Sequence, residues 1–292
     1  MTPEATAVEP HVREPSVAPG PAPVPAARGR REHPLARLRG ELPMAARVAL
    51  AAVGVVSLLA CWLLASTLWS SGAFRVPTPL STLRAGVELW TDGDLGHDLL
   101  ASSRRVAVGY AISLAIGVVA GIGIGSFASL EAYGEAPIGL VRYVPATALT
   151  PLFLLWLGID EAPKVALVVA GTVFYNVLMI ADVARAVPRD MVTSAYTLGA
   201  GRWTVLRRVV FPHSWPGIVD VARVNLAGAW LMLVVAELLA ANEGLAFQLT
   251  RAYRFRRVDT MFAILVVFAV IGVASDLFLR WLRNRTAPWA RS

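Results

Sequence analysis

The sequence predicts an all-α protein that crosses a membrane with six helices. Of its 292 residues, 56% are hydrophobic and only 16% are charged, whereas soluble domains carry roughly 25% charged residues. The apolar residues are collected into runs of about 20, the length that a helix needs to cross the hydrocarbon core of a bilayer. Arginines cluster just before the first run and just after the last one, which is the charge pattern of membrane topology signals.

The apolar runs define the domain organisation. The predicted spans cover residues 48–69, 106–127, 138–159, 165–181, 218–241 and 261–282, within a transmembrane domain of residues 45–284. Residues 1–44 are rich in proline, alanine and arginine, a composition that predicts a disordered tail. Residues 285–292 form a short basic tail. Because the first apolar run begins near residue 48, we expect a retained span and not a cleaved signal peptide.

Charges in the loops predict the orientation. The basic N-terminal tail is expected in the cytoplasm, and six spans return the basic C-terminus to the same side. The loop of residues 181–217 then lies in the cytoplasm, and it carries five arginines. The acidic segment 73–100 lies outside. One loop departs from this trend, because the four arginines between Arg251 and Arg257 also fall outside.

The second span contains five glycines, which are Gly109, Gly117, Gly121, Gly123 and Gly125. Glycines four residues apart lie on one face of a helix and let a second helix approach closely in lipid. We interpret them as packing positions. A phosphate-binding loop would follow a strand, and the residues around these glycines are apolar.

The most informative segment of the cytoplasmic loop runs from Thr193 to Pro212. Its apolar residues recur at helical spacing on either side of Gly199 and Gly201, which predicts two short helices joined by a turn. Pro212 and Pro216 are expected to end the second helix before the fifth span begins. The segment is therefore a predicted helix–turn–helix on the cytoplasmic side.

This segment resembles the cytoplasmic signature of binding-protein-dependent importer permeases. That signature reads Glu-Ala-Ala, three residues, Gly, nine residues, then Ile-x-Leu-Pro. At the same spacing the chain has Thr-Ser-Ala from residue 193, then Gly199, then Val-Val-Phe-Pro ending at Pro212. Thr193 and Ser194 replace the glutamate and the first alanine, so a contact made by that carboxylate is not carried over.

Three further stretches resemble the nitrate, sulfonate and taurine branch of this family. They are the start of the second span (residues 100–110), the proline-rich third span (residues 144–160) and the fifth span with its following loop (residues 227–246). The resemblance covers about residues 80–285.

The resemblance implies a type I ABC importer permease fold. It also implies that the chain is the membrane subunit of an ATP-driven importer for a small anion such as nitrate, a sulfonate or taurine. In that family the cytoplasmic loop, here residues 186–216, binds a separate ATPase. The implied coupling residues are Thr193, Ser194, Ala195, Gly199, Arg202, Arg207, Arg208, Val209, Phe211 and Pro212. An amphipathic helix lying on anionic lipid is the alternative.

The resemblance also implies the partners. They are two ABC ATPase subunits, an extracellular or periplasmic substrate-binding protein, a second copy of the permease and the lipid bilayer of a bacterial cell. Both termini are expected in the cytoplasm. The sequence has no Gly-x-x-x-x-Gly-Lys-Ser/Thr motif, so we expect no ATP hydrolysis and no cofactor in this chain, with ATP–Mg on the ATPase.

The translocation path is expected where polar residues and helix breaks occur within the spans. The candidates are Pro145, Thr147, Thr150, Pro151, Trp156, Asn176, Asn225 and Glu237. Prolines break a helix, and broken helices in membranes line cavities. Helix–helix hydrogen bonds are the alternative for Thr147, Thr150, Trp156 and Asn176. For Glu237 the alternative is a carboxylate at the outer interface or an ion pair with a loop arginine.

Other charged residues in the spans have structural interpretations. Arg223 is expected either to extend its side chain to the membrane surface or to pair with Asp220, three positions away on one helix face. Asp276 is expected to pair with Arg280, four positions away. We favour such a role over anion binding for Arg223, and Arg142 has the same interpretation.

Other functional classes fit less well. A stand-alone secondary transporter is the alternative function, but such proteins usually show internal repeats and more spans. A membrane enzyme would need clustered catalytic side chains at one interface, and a nucleic-acid-binding protein would need a basic face on a soluble domain. The sequence shows neither. Cys61 is the only cysteine, which excludes an intrachain disulfide, and no Cys/His spacing indicates a metal site.

Overall fold

A computed structural model describes residues 43–69, 75–91 and 94–290 of the chain. The predicted N-terminal tail therefore lies almost entirely outside the described residues. The chain divides into two compact units, Met1–Leu58 and Leu59–Ser292. In the first unit, the described residues form the N-terminal part of one helix. The second unit contains the end of that helix and all the helices that follow.

Every regular element in the described part of the chain is helical, which confirms the all-α prediction. The α-helices are α1 (Met44–Leu68), α2 (Pro79–Thr91), α3 (Asp94–Ser126), α4 (Ala128–Val141), α5 (Thr150–Leu157), α6 (Glu161–Arg185), α7 (Arg189–Thr197), α8 (Arg202–Val205), α9 (Phe211–Ala240), α10 (Leu245–Arg254) and α11 (Val258–Thr286). A 3-10 turn, Ala146–Leu149, precedes α5, a π-turn, Leu206–Val210, precedes α9, and a 3-10 turn, Pro288–Ala290, follows α11.

Five of these helices are long and apolar enough to cross a membrane within the described residues, and a bent pair makes the sixth candidate. The bent pair is the predicted third span. It is not one helix over residues 138–159, because α4 ends at Val141 and the chain bends by 78° before α5. Pro145 lies in this break and Pro151 lies in the first turn of α5. A proline there lacks the N–H that a continuous helix would need.

Two helices form where the sequence analysis placed loops. α2 lies within the acidic segment 73–100, and α10 lies in the arginine-rich loop before the last span. α10 buries Leu245, Ala246, Gln248 and Ala252 on one face. Such amphipathic helices have too few apolar residues to stand out by hydropathy, so a search for long apolar runs misses them.

The core of the second unit is the contact between α3, α6 and α9. The five glycines are packing positions, as predicted: four lie against α6, and Gly123 lies against Leu130 of α4. A Cβ atom at Gly121 would lie 2.7 Å from the carbonyl oxygen of Val177 and 2.9 Å from Cβ of Ile180. The two backbones therefore approach as closely as glycine permits.

The three core helices run between two ends of the bundle. Arg105 of α3 contacts Glu161 at the start of α6 and Glu237 near the end of α9. We call this the Arg105 end. At the opposite end α3 finishes beside the end of α6, next to α7, and we call this the α7 end. Residues 105 and 125 of α3 are about 30 Å apart at 1.5 Å per residue.

Candidate functional site

A tight turn follows α7 at its C-terminus. Gly199 has φ +81°. Its N–H donates to the carbonyl of Tyr196 at 2.9 Å, and the N–H of Ala200 donates to the carbonyl of Ala195 at 3.1 Å. These two bonds define a Schellman motif, whose left-handed residue is usually glycine. A Cβ atom at Gly199 would meet nothing within 4 Å, so backbone conformation, and not packing within the chain, requires glycine there.

The helix after this turn continues into the next span without a break. α8, the π-turn and α9 form one helix of 39 residues, Arg202–Ala240. The prediction that Pro212 and Pro216 end the second helix is therefore wrong. Pro212 lies in the first turn of α9, directly after the π-turn, and Pro216 lies inside the helix. A proline ring clashes with the carbonyl four residues before it in an α-helix, and the residues that precede Pro212 form the wider π-turn.

Two of the predicted coupling residues, Ala195 and Val209, pack toward the interior of the chain. Val205 and Val210 are buried in an apolar cluster that includes Ile180 of α6. Ala195 and Val209 pack against the same cluster. These contacts hold α7 and the π-turn against the end of α6, so Ala195 and Val209 have a structural role within the chain.

The rest of the coupling set faces outward. Thr193, Ser194, Arg202, Arg207, Arg208 and Phe211 are exposed, and Pro212 is half-buried. Leu198, beside the left-handed glycine, is 88% exposed. The turn therefore presents an apolar tip with hydroxyl groups and arginines around it.

The break between α4 and α5 opens a cleft of about 500 Å³. Pro145 and Thr147 line it from the break, and Gly171, Tyr175 and Met232 line it from α6 and α9. The other predicted path residues lie elsewhere: Thr150 is buried, and Trp156 is 68% exposed on α5.

Asn176 and Asn225 belong to a polar network inside the bundle. The side chain of Asn176 is fully buried and donates to Ser113 Oγ of α3 at 2.9 Å. Asn225 Nδ2 donates to Asn176 Oδ1 at 2.8 Å, and Thr172 Oγ1 donates to Ser113 Oγ at 2.7 Å. Both asparagines form helix–helix hydrogen bonds in the described chain, which for Asn176 is the alternative that the sequence leaves open.

Arg105 lies at the centre of a buried charge cluster. Its side chain is 1% exposed. Nε and Nη2 donate to the two carboxylate oxygens of Glu161 at 2.5 and 2.7 Å. Nη1 donates to Glu237 Oε1 at 2.8 Å, and Nη2 also donates to Glu243 Oε1 at 2.9 Å. Nη1 also donates to the carbonyl oxygen of Glu243 at 3.0 Å. All five N–H groups of the guanidinium therefore have acceptors.

Glu237 joins this Arg105 cluster to the start of α10. Its carboxylate accepts hydrogen bonds from Ser102 Oγ at 2.7 Å and from the N–H of Ala246 at 3.0 Å. Gly244 has φ +116°, and a Cβ atom there would lie 2.5 Å from Glu237 Oε1. Both the backbone conformation and the space beside the carboxylate thus require glycine.

Sequence and structure comparisons identify the family. Residues 113–288 match the family described as binding-protein-dependent transport system inner membrane component. The chain is 31% identical over 235 residues to the putative aliphatic sulfonates transport permease protein SsuC of Bacillus subtilis (strain 168), covering 80% of this chain and 85% of the relative. It is 32% identical over 259 residues to the taurine transport system permease protein TauC of Escherichia coli (strain K12), covering 87% and 94%.

The chain belongs to this family. The permease also resembles a chain in a solved structure of the MetNI methionine ABC transporter, with a TM-score of 0.59 and 16% identity, over 65% of this chain and 95% of that one. This likeness shows the fold. The predicted family and fold class are therefore confirmed, and the permease is a multi-pass membrane transport subunit.

The ion pairs of the permease partly match the sequence analysis. Arg223 pairs with Asp220 and Asp276 with Arg280, as predicted. Arg223 Nε also donates to Asp276 Oδ1 at 2.9 Å, which links α9 to α11. Glu237 is not an exposed carboxylate paired with a loop arginine, because its partner is the buried Arg105 of α3.

Sequence reasoning missed most of the Arg105 cluster. In the sequence Arg105 is only one residue of the stretch that begins the second span, and nothing near it indicates Glu161 and Glu243 as its partners. The available signal is the position of an arginine at the start of a long apolar run, because an arginine there is stable in the membrane only with partners. Those partners are 56 and 138 residues away in the sequence.

Proposed function

We propose that this permease forms the translocation path of an ATP-binding-cassette importer for a small sulfonate-type anion. The relatives named for aliphatic sulfonates and taurine support this substrate class. The proposal includes an ATPase that binds ATP–Mg at the α7 end, a substrate-binding protein at the Arg105 end and a second copy of the permease. The α7 end and both termini then lie in the cytoplasm. The cleft at the break between α4 and α5 is the candidate path.

The exposed turn after α7 is the observation that carries the proposal. The Schellman motif fixes Leu198 at the surface, and the apolar cluster beneath holds α7 in place. Exposed hydroxyls and arginines surround this apolar tip. A large exposed apolar side chain with a polar rim is typical of a protein interface. Arg202, Arg207 and Arg208 would meet acidic groups of the ATPase.

The test replaces Leu198 and keeps the turn. We expect Leu198→Asp to reduce co-purification of the ATPase at least about tenfold, because a buried carboxylate without a partner is costly at an interface. Gly199→Asn is the matched control, since asparagine tolerates the left-handed conformation, and it should retain most of the association. Undiminished association of Leu198→Asp would contradict the proposed docking site.

Uptake into proteoliposomes tests the function itself. We expect accumulation of a sulfonate only with the ATPase, the binding protein and ATP present together. Accumulation that continues without ATP would identify a secondary transporter and overturn the proposal.

A further inference from the structure

Arg142 lies in the break between α4 and α5, at the middle of the bundle. Its side chain lines the same cleft of about 500 Å³ as Thr147, Gly171 and Tyr175. Positions 171 and 175 of α6 are roughly 15 to 20 Å from either end of that helix, at 1.5 Å per residue. The cleft that the exposed Arg142 lines is therefore about halfway between the Arg105 end and the α7 end.

Three other arginines of the long helices are neutralised by carboxylates. Arg105 and Arg185 each contact three, and Arg223 contacts two. In the described residues Arg142 pairs with none. Its Nη2 donates to the hydroxyl of Tyr143 at 3.2 Å, and its guanidinium lies 5.1 Å from the centre of that ring. A charge without a counter-ion at this depth of a membrane is costly and marks a functional site.

The break also supplies neutral polar groups for an anion. The chain between α4 and α5 is irregular, and irregular backbone at membrane depth is tolerated where it lines a cavity. Thr147 is exposed and Tyr143 carries a phenolic hydroxyl, and both line the cleft. A guanidinium with nearby hydroxyls matches the oxygen atoms of a small oxyanion, since charge-assisted hydrogen bonds to such groups are short and strong.

We propose that Arg142 binds the transported anion at the midpoint of the path, and that the ligand is a small oxyanion such as a sulfonate. This proposal replaces the interpretation of Arg142 as a structural residue. It rests on the proposed function for the identity of the substrate. The attraction of anions into the cleft, however, is a property of the permease alone.

The test measures the charge preference of the cleft without transport. Cys61 is the only cysteine, so Cys61→Ser gives a background for placing a single thiol with Thr147→Cys. The purified permease is treated with two methanethiosulfonate reagents, one with a sulfonatoethyl group and one with a trimethylammonioethyl group. We expect Arg142→Gln to lower the ratio of anionic to cationic labelling rates roughly tenfold, because a cleft lined by one sign of charge concentrates the opposite ion. Arg142→Lys should keep most of the ratio.

Arg104→Gln is the matched control. Arg104 is an exposed arginine that lines a different cleft, so its removal should leave the ratio within about twofold, as expected for a screened charge at a distance. A ratio in Arg142→Gln equal to that of the parent would overturn the proposal. Both reagents are tested on the same protein. A general loss of folding would change the two labelling rates together, whereas loss of the Arg142 charge changes their ratio.

Uptake then separates this proposal from the proposed function. In proteoliposomes with the ATPase and binding protein, we expect Arg142→Gln to lower ethanesulfonate uptake about tenfold while ATPase association is unchanged. Normal uptake by Arg142→Gln would overturn the role of Arg142 in transport. If the parent shows the labelling preference but takes up no sulfonate, the substrate assignment fails and the anion site stands.

Discussion

Replacing Arg105 tests how much the buried charge cluster contributes to stability. Arg105→Met keeps much of the side-chain volume and removes all five donors. Glu161 and Glu243 have side chains that are 56% and 43% exposed, so water replaces much of what they lose. Glu237 is different, because its side chain has 0% exposure, and the variant leaves its charge buried without a cationic partner.

The magnitude follows from that difference. Removing one partner of a buried ion pair costs roughly 3–5 kcal/mol. Glu237 keeps the donors Ser102 Oγ and Ala246 N–H, so we expect a loss near the lower limit, about 3 kcal/mol. For a chain of this size, 1 kcal/mol corresponds to roughly 2–4 °C in Tm, which gives a decrease of about 6–12 °C.

The assay is thermal unfolding of the detergent-solubilised permease, followed by loss of its monodisperse peak in size-exclusion chromatography. Arg104→Met is the control, because the neighbouring arginine is exposed and should change stability by only about 0.5 kcal/mol. Adding Glu237→Gln to Arg105→Met should restore at least about 1 kcal/mol by removing the unpaired charge. A Tm of Arg105→Met equal to that of Arg104→Met, or no recovery in the double variant, would refute the reasoning.

Three further changes test the packing and the hydrogen bonds of the core. Gly121→Val should lower stability by about 1–3 kcal/mol through overpacking against α6. Gly139→Ala is the control, because a Cβ atom there meets nothing within 4 Å, and it should be neutral or stabilising by about 1 kcal/mol. Both variants are measured as Tm in detergent, and equal Tm values would contradict the close contact. Gly244→Ala should destabilise the start of α10, and a double-mutant cycle with Glu237→Gln should show an interaction energy of about 0.5 kcal/mol or more, while strict additivity would exclude their contact. Asn225→Leu should lower stability by about 1–3 kcal/mol, because the buried amide oxygen of Asn176 loses its donor. An unchanged Tm would show that water replaces that bond.

The parts of the fold that depend on local composition were predictable from the sequence. Long apolar runs gave the helices that cross the bundle, since hydropathy is a property of consecutive residues. The turn at Gly199 was predictable because glycine has a conformational freedom that other residues lack. The glycines of α3 indicated close packing, but the sequence could not identify α6 as the partner helix.

The parts that depend on distant contacts were not predictable. Arg105 meets Glu161, Glu237 and Glu243 only after three separate helices have packed. Pro212 was expected to end a helix because proline disrupts an α-helix. That expectation was wrong because it did not allow for the π-turn that precedes Pro212. The sequence favoured a structural role for Arg142. Its place in a cleft, and the lack of a carboxylate partner among the described residues, depend on the three-dimensional structure and could not be predicted.

The Arg105 cluster also constrains the order in which the chain can assemble in the membrane. All the acidic partners of Arg105 lie further along the chain than α3, the earliest at Glu161 and the latest at Glu243. Pairing of α3 with α6 can satisfy the two donors that bind Glu161. The other three N–H donors of the guanidinium find their acceptors only after α9 has been inserted and the residues just before α10 have been made. A chain that stalls before residue 237 thus carries an incompletely bonded arginine at the membrane surface, a feature by which quality-control proteases can distinguish it from the finished protein.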